Sequence, residues 1–189
     1  MSTAPRHNTR HLRASSRRQG GLSMIELLVA VLVLGIGVLG ITALQMVSLQ
    51  NNRAALFRAE AVQLAYDMMD RIRANPIGAA VPGQAYGGVA LAAVPADPPA
   101  LCHQAQCTEV QMVAFDLAMW KCSLGGLNDE QVCIDLRTAG ALPPQNEQPG
   151  LPNGLGSIAV DAATGVVTVV VRWQEPDGQL RNISIDSQS

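Results

Sequence analysis

From Leu27 to Leu44 the chain reads LLVAVLVLGIGVLGITAL, eighteen residues without a charge. A helix that is apolar on every side has two homes, the centre of a large protein or a bilayer. The chain has 189 residues, enough for one domain plus one unusual element. Eighteen or more apolar residues reach the length of a membrane span. The flanking charge points the same way. Arg6, Arg10, Arg13, Arg17 and Arg18 all precede the run, and no acid occurs before Gly21. A one-sided basic flank is the charge pattern of a membrane segment. We therefore read 27–44 as membrane-spanning rather than as a buried soluble helix.

The helical signal continues past the run. Phe57, Ala61, Leu64, Ala65, Met68 and Ile72 follow one another at steps of three, four and one, which is a single apolar face at helical period. Arg53, Arg58, Glu60, Asp67, Asp70 and Arg71 take the polar positions. Asn75-Pro76 is a stop, because proline disfavours helix in the residue before it. One helix from about Leu22 to Ala74 would be roughly 80 Å long at 1.5 Å per residue. Residues 22–45 would form an apolar half for lipid or a filament core, and residues 46–75 an amphipathic half for packing.

Residues 76–189 read as a globular head. Residues 76–100, rich in Pro, Gly and Ala, read as loop. Thr108-Glu109-Val110-Gln111 has capping-box spacing, and Val110, Val113, Ala114, Leu117 and Trp120 then mark a short amphipathic helix. On this helix Trp120 is expected in the core, with Asp116 beside it as a surface candidate. Residues 124–156, punctuated by Gly and Pro, read as loop. Ser157–Asp161, Val166–Trp173 and Gln179–Asp186 are strands separated by short turns, an antiparallel meander over 157–186. Val167, Val169, Val171 and Trp173 share one face of the middle strand. Three strands alone are marginal, so the amphipathic half-helix is the expected cover. The fold class is α+β, with a long N-terminal α-helix packed on a C-terminal antiparallel β-meander.

Cys102, Cys107, Cys122 and Cys133 all lie in the C-terminal half. Even number and clustering suit two disulfides in an oxidising compartment. Three connectivities are open, of which Cys102–Cys107 with Cys122–Cys133 is the simplest. Metal ligation by these cysteines and His103 is the weaker reading, since C-x-x-x-x-C is not a zinc-knuckle spacing. No catalytic constellation stands out. His7 and His11 fall in the basic N-terminal stretch, and His103 has no nucleophile near it in sequence beyond Cys102 and Cys107. No enzyme activity, metal or cofactor is expected. Without residues 1–21 and their five arginines the formal charge moves from -2 to -7. That acidic balance argues against nucleic acid as a partner. Aromatics make up only 3%, which argues against a large aromatic-lined ligand pocket. Gly35-Ile36-Gly37-Val38-Leu39-Gly40 fits the dinucleotide fingerprint but sits inside the apolar run, with no strand before it.

A secretory signal places its small-residue cleavage site after the apolar core. Here Gly20 and Gly21 come before it, so a cut after Gly21 would remove the basic leader 1–21 and keep the helix. Gly21-Leu22-Ser23-Met24-Ile25-Glu26-Leu27-Leu28-Val29-Ala30 strongly resembles the class III signal of type IV prepilins and pseudopilins. The resemblance implies cleavage after Gly21 by a prepilin peptidase, methylation of the new amine at Leu22, where Phe is commoner, and an assembly role for Glu26. It also implies the type IV pilin fold. A carboxylate at the start of a membrane helix is expected to seek a positive partner. In this family that partner is the N-terminal amine of a neighbouring subunit.

The stretch Met68-Met69-Asp70-Arg71-Ile72-Arg73-Ala74-Asn75 is similar to the "MxDRxRAN" close of the helix in the PilV branch of minor pilins. Leu151-Pro152-Asn153-Gly154 and Val167–Trp173 fit that branch in shorter pieces. This resemblance implies a non-enzymatic subunit that primes type IV pilus assembly and sits in a tip complex. Its partners would be other minor pilins, the major pilin and a large tip adhesin. The chain would start as a single-pass inner-membrane protein with a periplasmic C-terminal domain. The minor pseudopilin of a type II secretion system carries the same N-terminal signal and is the runner-up. A generic membrane-anchored binding domain comes third.

Overall fold

The computed structural model describes residue 21, residues 23–79 and residues 86–188. The expected leader 1–20 and the expected N-terminal residue Leu22 lie outside the described residues. The chain falls into two compact units, one ending at Met46 and the other beginning at Val47.

Helix α1 runs unbroken over Met24–Ala74. Gly35, Gly37 and Gly40 lie inside it and cause no break, so the G-x-G-x-x-G match has neither the strand nor the turn that a phosphate cradle needs. Among the described residues α1 is the one helix long and apolar enough to cross a membrane, by length and composition. It ends where proline requires, one residue before Asn75-Pro76. The chain then makes one further turn, α2, over Pro76–Ala79. Proline is well tolerated in the first turn of a helix, so the residue that stops α1 also starts α2.

In the second unit α3 spans Glu109–Ser123 and opens on the expected capping box, with Thr108 and Gln111 satisfying each other's backbone N–H. Helix α4, Gln131–Thr138, lies in the stretch 124–156 that the sequence reading leaves as loop. It has only two turns and buries one edge, Val132, Cys133 and Leu136, so its apolar signal is three residues long. Strands β1 (Leu155–Val160), β2 (Val166–Gln174) and β3 (Leu180–Gln188) form an antiparallel sheet in the order β1-β2-β3. The first strand starts and ends slightly earlier than expected, and the third runs two residues further.

Two cores meet at α3. The first joins Ala61, Leu64, Ala65, Met68, Met69 and Ile72 of α1 to Val113 and Trp120 of α3 and to Ile158, Val167, Val169, Val171 and Trp173 of the sheet. Phe57 is half-buried at its margin. The second joins Phe115, Ala118 and Cys122 of α3 to Val132, Cys133 and Leu136 of α4. Helix α3 is therefore covered on two sides, and the single amphipathic face expected for it is half of the truth. Val110, expected on that face, is exposed. Gly156 of β1 passes directly under Trp120 and Leu124, where a Cβ would collide with the indole ring, so only glycine lets strand and helix approach this closely.

Candidate functional site

The features that bear on function lie in the N-terminal unit and at the close of α1. Gly21 is exposed, and so is every residue described from Ser23 to Arg53. The helix begins with Ser23, whose carbonyl accepts from Glu26 N at 3.0 Å and from Leu27 N at 3.2 Å. Glu26 sits in the first turn, where the unpaired N–H groups of the helix favour an anion. It is the sole charged residue between Ser23 and Asn52. No ion pair or side-chain hydrogen bond engages it among the described residues. The hydroxyl of Thr42, on the apolar segment, is absorbed by the helix itself and donates to Leu39 O at 2.8 Å.

The end of α1 is built differently. Arg71 donates through Nε to Asp67 at 2.9 Å and through Nη1 to Asp116 of α3 at 3.1 Å. The other Asp116 oxygen accepts the Tyr86 hydroxyl at 2.7 Å. Asn75 Nδ2 donates to Glu109 O at 2.8 Å and to the Tyr86 oxygen at 3.2 Å, and Asn75 Oδ1 accepts Gly78 N at 3.0 Å. The MMDRIRAN stretch thus supplies two staples, Arg71 and Asn75, that tie α1 to α3 and to the segment at Tyr86. Asp116, a surface candidate by sequence, is buried with its carboxylate fully engaged. Burial, reinforced by the Asp116 carboxylate, raises the Tyr86 hydroxyl well above its ordinary value. Arg71 rises too: burial lowers it, but the bonds and charges of Asp67 and Asp116 outweigh that.

Sequence reasoning gave Lys121 no role. Its ammonium is buried and donates to Ala90 O and Leu91 O at 2.9 Å and to Gly156 O at 2.8 Å. Three carbonyls use all three of its protons, and burial without a carboxylate lowers its pKa to about 8. A lysine near the end of an amphipathic helix looks like a solvated cation, so no sequence signal marks this one.

The structure pairs Cys102 with Cys107, Cα atoms 5.5 Å apart, and Cys122 with Cys133, 5.2 Å apart. The first closes a small loop at half-exposed positions. The second lies fully buried and pins α3 to α4. His103 is exposed and stacks on Phe115 with ring centroids 5.9 Å apart. With all four cysteine sulfurs in disulfides, none remains as a thiolate ligand beside it. Among the described residues no group of His, Cys, Asp and Glu is placed to hold a metal.

Comparison with known families gives two matches. A family model described as Type IV pilin Tt1218 matches residues 43–118. One described as the prokaryotic N-terminal methylation motif matches residues 16–42. Neither a curated protein nor a solved structure matches the chain.

Proposed function

The two matches support a type IV pilin, and on that premise we propose that this chain is a minor pilin of the PilV branch, which primes pilus assembly and sits in the tip complex. The long helix packed on a three-stranded antiparallel sheet is the α+β fold of type IV pilins. A pilin with an N-methylation motif implies processing by a prepilin peptidase and assembly with other pilins, and its exposed apolar helix fits membrane anchoring. The finer reading is ours. The peptidase cuts after Gly21 and methylates Leu22. The helix half 22–45 holds the inner membrane with residues 76–189 in the periplasm. The subunit then passes to the pilus tip, beside other minor pilins, the major pilin and a tip adhesin.

One observation carries the reading: a Gly-Gly pair precedes a helix whose first half is apolar and exposed on all sides, and the single charge of that half, Glu26, stands in its first turn. Cleavage exposes an α-amine with a pKa of about 7.7–8.0, protonated near neutral pH. Glu26 lies one helical turn further along. In a staggered filament the Glu26 carboxylate of one subunit meets the amine of the next, and the cost of an unpaired charge in low dielectric sets the axial register. Mass spectrometry of the native N-terminus tests the processing step. The expected product begins at methylated Leu22, and a chain that keeps residues 1–21 overturns the reading. Glu26→Ala should leave cleavage and membrane insertion intact and reduce both recovery of partner pilins and surface piliation. Normal values of both would remove Glu26 from assembly.

A further inference from the structure

The two edges of the sheet are unlike. At the outer side of β1, Ile158 exchanges two backbone hydrogen bonds with Val89, both at 3.1 Å, so that edge is closed at its middle. Among the described residues β3 has β2 on one side and no strand on the other. The β2–β3 hairpin fixes which of its backbone groups face out. Glu175 N–H donates to Gln179 O at 2.8 Å, and an antiparallel ladder repeats such exchanges at every second residue. In the observed register, Trp173 opposite Arg181, Val171 opposite Ile183 and Val169 opposite Ile185, those three β3 residues bond to β2. Asn182, Ser184 and Asp186 therefore turn their N–H and C=O groups away from the sheet. Among the described residues nothing bonds to these outward groups.

Natural sheets blunt a long open edge with proline, charged side chains, a bulge or a covering segment. Leu180–Asp186, LRNISID, has no proline, its register with β2 advances without a bulge, and its two charges, Arg181 and Asp186, leave 182–185 uncharged. The side chains add a second asymmetry. Asn182, Ser184 and Asp186 are exposed on the outer face. Ile183 and Ile185, on the inner face, pack on the core and yet are only half-buried. The apolar layer thus stops one strand short of full cover.

We propose that the outer edge of β3 is an interaction surface that receives an extended strand from another protein as the fourth strand of the sheet. Outward N–H and C=O groups recurring every second residue match an extended backbone. A helix cannot meet them, because its own groups are bonded internally. The incoming segment has apolar side chains at the positions beside Ile183 and Ile185 and polar ones beside Asn182, Ser184 and Asp186. This rests on the sheet alone and holds whichever assembly the chain serves.

The test is photo-crosslinking in producing cells, with the full chain carrying p-benzoyl-phenylalanine at position 182, 184 or 186. A control places the same probe at Ala159, on the same sheet face but beside the closed edge. The expected adducts from the three β3 positions fall two residues apart along one segment of one other protein, at least tenfold above the control. Ser184→Pro removes an outward N–H and no β2–β3 bond. It should cut the adduct from position 182 at least tenfold with an unchanged melting temperature. If that variant does not fold, the two-residue spacing of the adducts decides alone. Adducts at control level, adducts scattered over several proteins or lying on a helix, or an undiminished adduct in folded Ser184→Pro would overturn the proposal. Normal processing at Gly21 in such an experiment leaves the pilin reading standing, so the two failures are distinguishable.

Discussion

Asp116 is a carboxylate taken out of water, and Arg71 and the Tyr86 hydroxyl both donate to it. Such a group costs little while its partners are present and much when one is removed. Tyr86→Phe should therefore lower stability by about 1–3 kcal/mol at pH 7, measured by urea unfolding. The pH dependence has a defined sign. Folding raises the Tyr86 pKa, so its contribution is complete below the unfolded value of about 10 and is lost as pH climbs above it. The gap between wild type and Tyr86→Phe should stay constant up to about pH 10 and narrow above it, and a gap that stays constant above that pH would mean that the hydroxyl is not held as described. At this scale the sequence was read unevenly. Trp120 is in the core as its position predicts, with Nε1 donating to Leu64 O at 2.9 Å. Asp116 and Lys121 were missed for one reason. Each is a charged residue on a short helix whose burial depends on partners distant in the chain, at Tyr86, Ala90 and Gly156.

Between elements, the decisive contact is the amphipathic half of α1 against the sheet. Leu64 is buried there, and its loss alone removes about 1.5–3 kcal/mol of burial. A carboxylate in its place adds several kcal/mol of desolvation. Leu64→Asp should thus exhaust much of the roughly 5–15 kcal/mol typical of a domain. The expected result is a non-cooperative thermal melt by circular dichroism, and a melting temperature equal to wild type would show the helix-on-sheet packing to be wrong. This contact was legible because two long periodic patterns, 3.6 on α1 and 2 on β2, each carry their own register. Helix α4 was not, since the Gly- and Pro-rich segments on either side of its two turns drown a three-residue apolar edge. Its order comes from elsewhere, from the Cys122–Cys133 bridge and from Arg137, which donates to Cys122 O at 3.2 Å and to Asn128 at 2.9 Å.

For the whole molecule, the division at Met46 and Val47 implies that the second unit carries its own cores and both disulfides. A chain beginning at Val47 should be water-soluble, fold with a cooperative melt and give no signal on thiol labelling after unfolding without reductant. Two labelled cysteines per chain would contradict the observed pairing. The first unit obeys another logic. Fifteen large apolar side chains between Met24 and Met46 are exposed, and none of them is shielded by a neighbour among the described residues. At about 1.5 kcal/mol or more for each, contact with water would cost on the order of 20 kcal/mol. A barrier of about that height corresponds to roughly one crossing per minute at best, before any pulling machinery acts. In the role proposed above, a subunit passing from lipid into a fibre then has no free aqueous stage on its route. On that reading it is handed from acyl chains to protein side chains in one sliding motion, with the growing end seated in the bilayer while this happens.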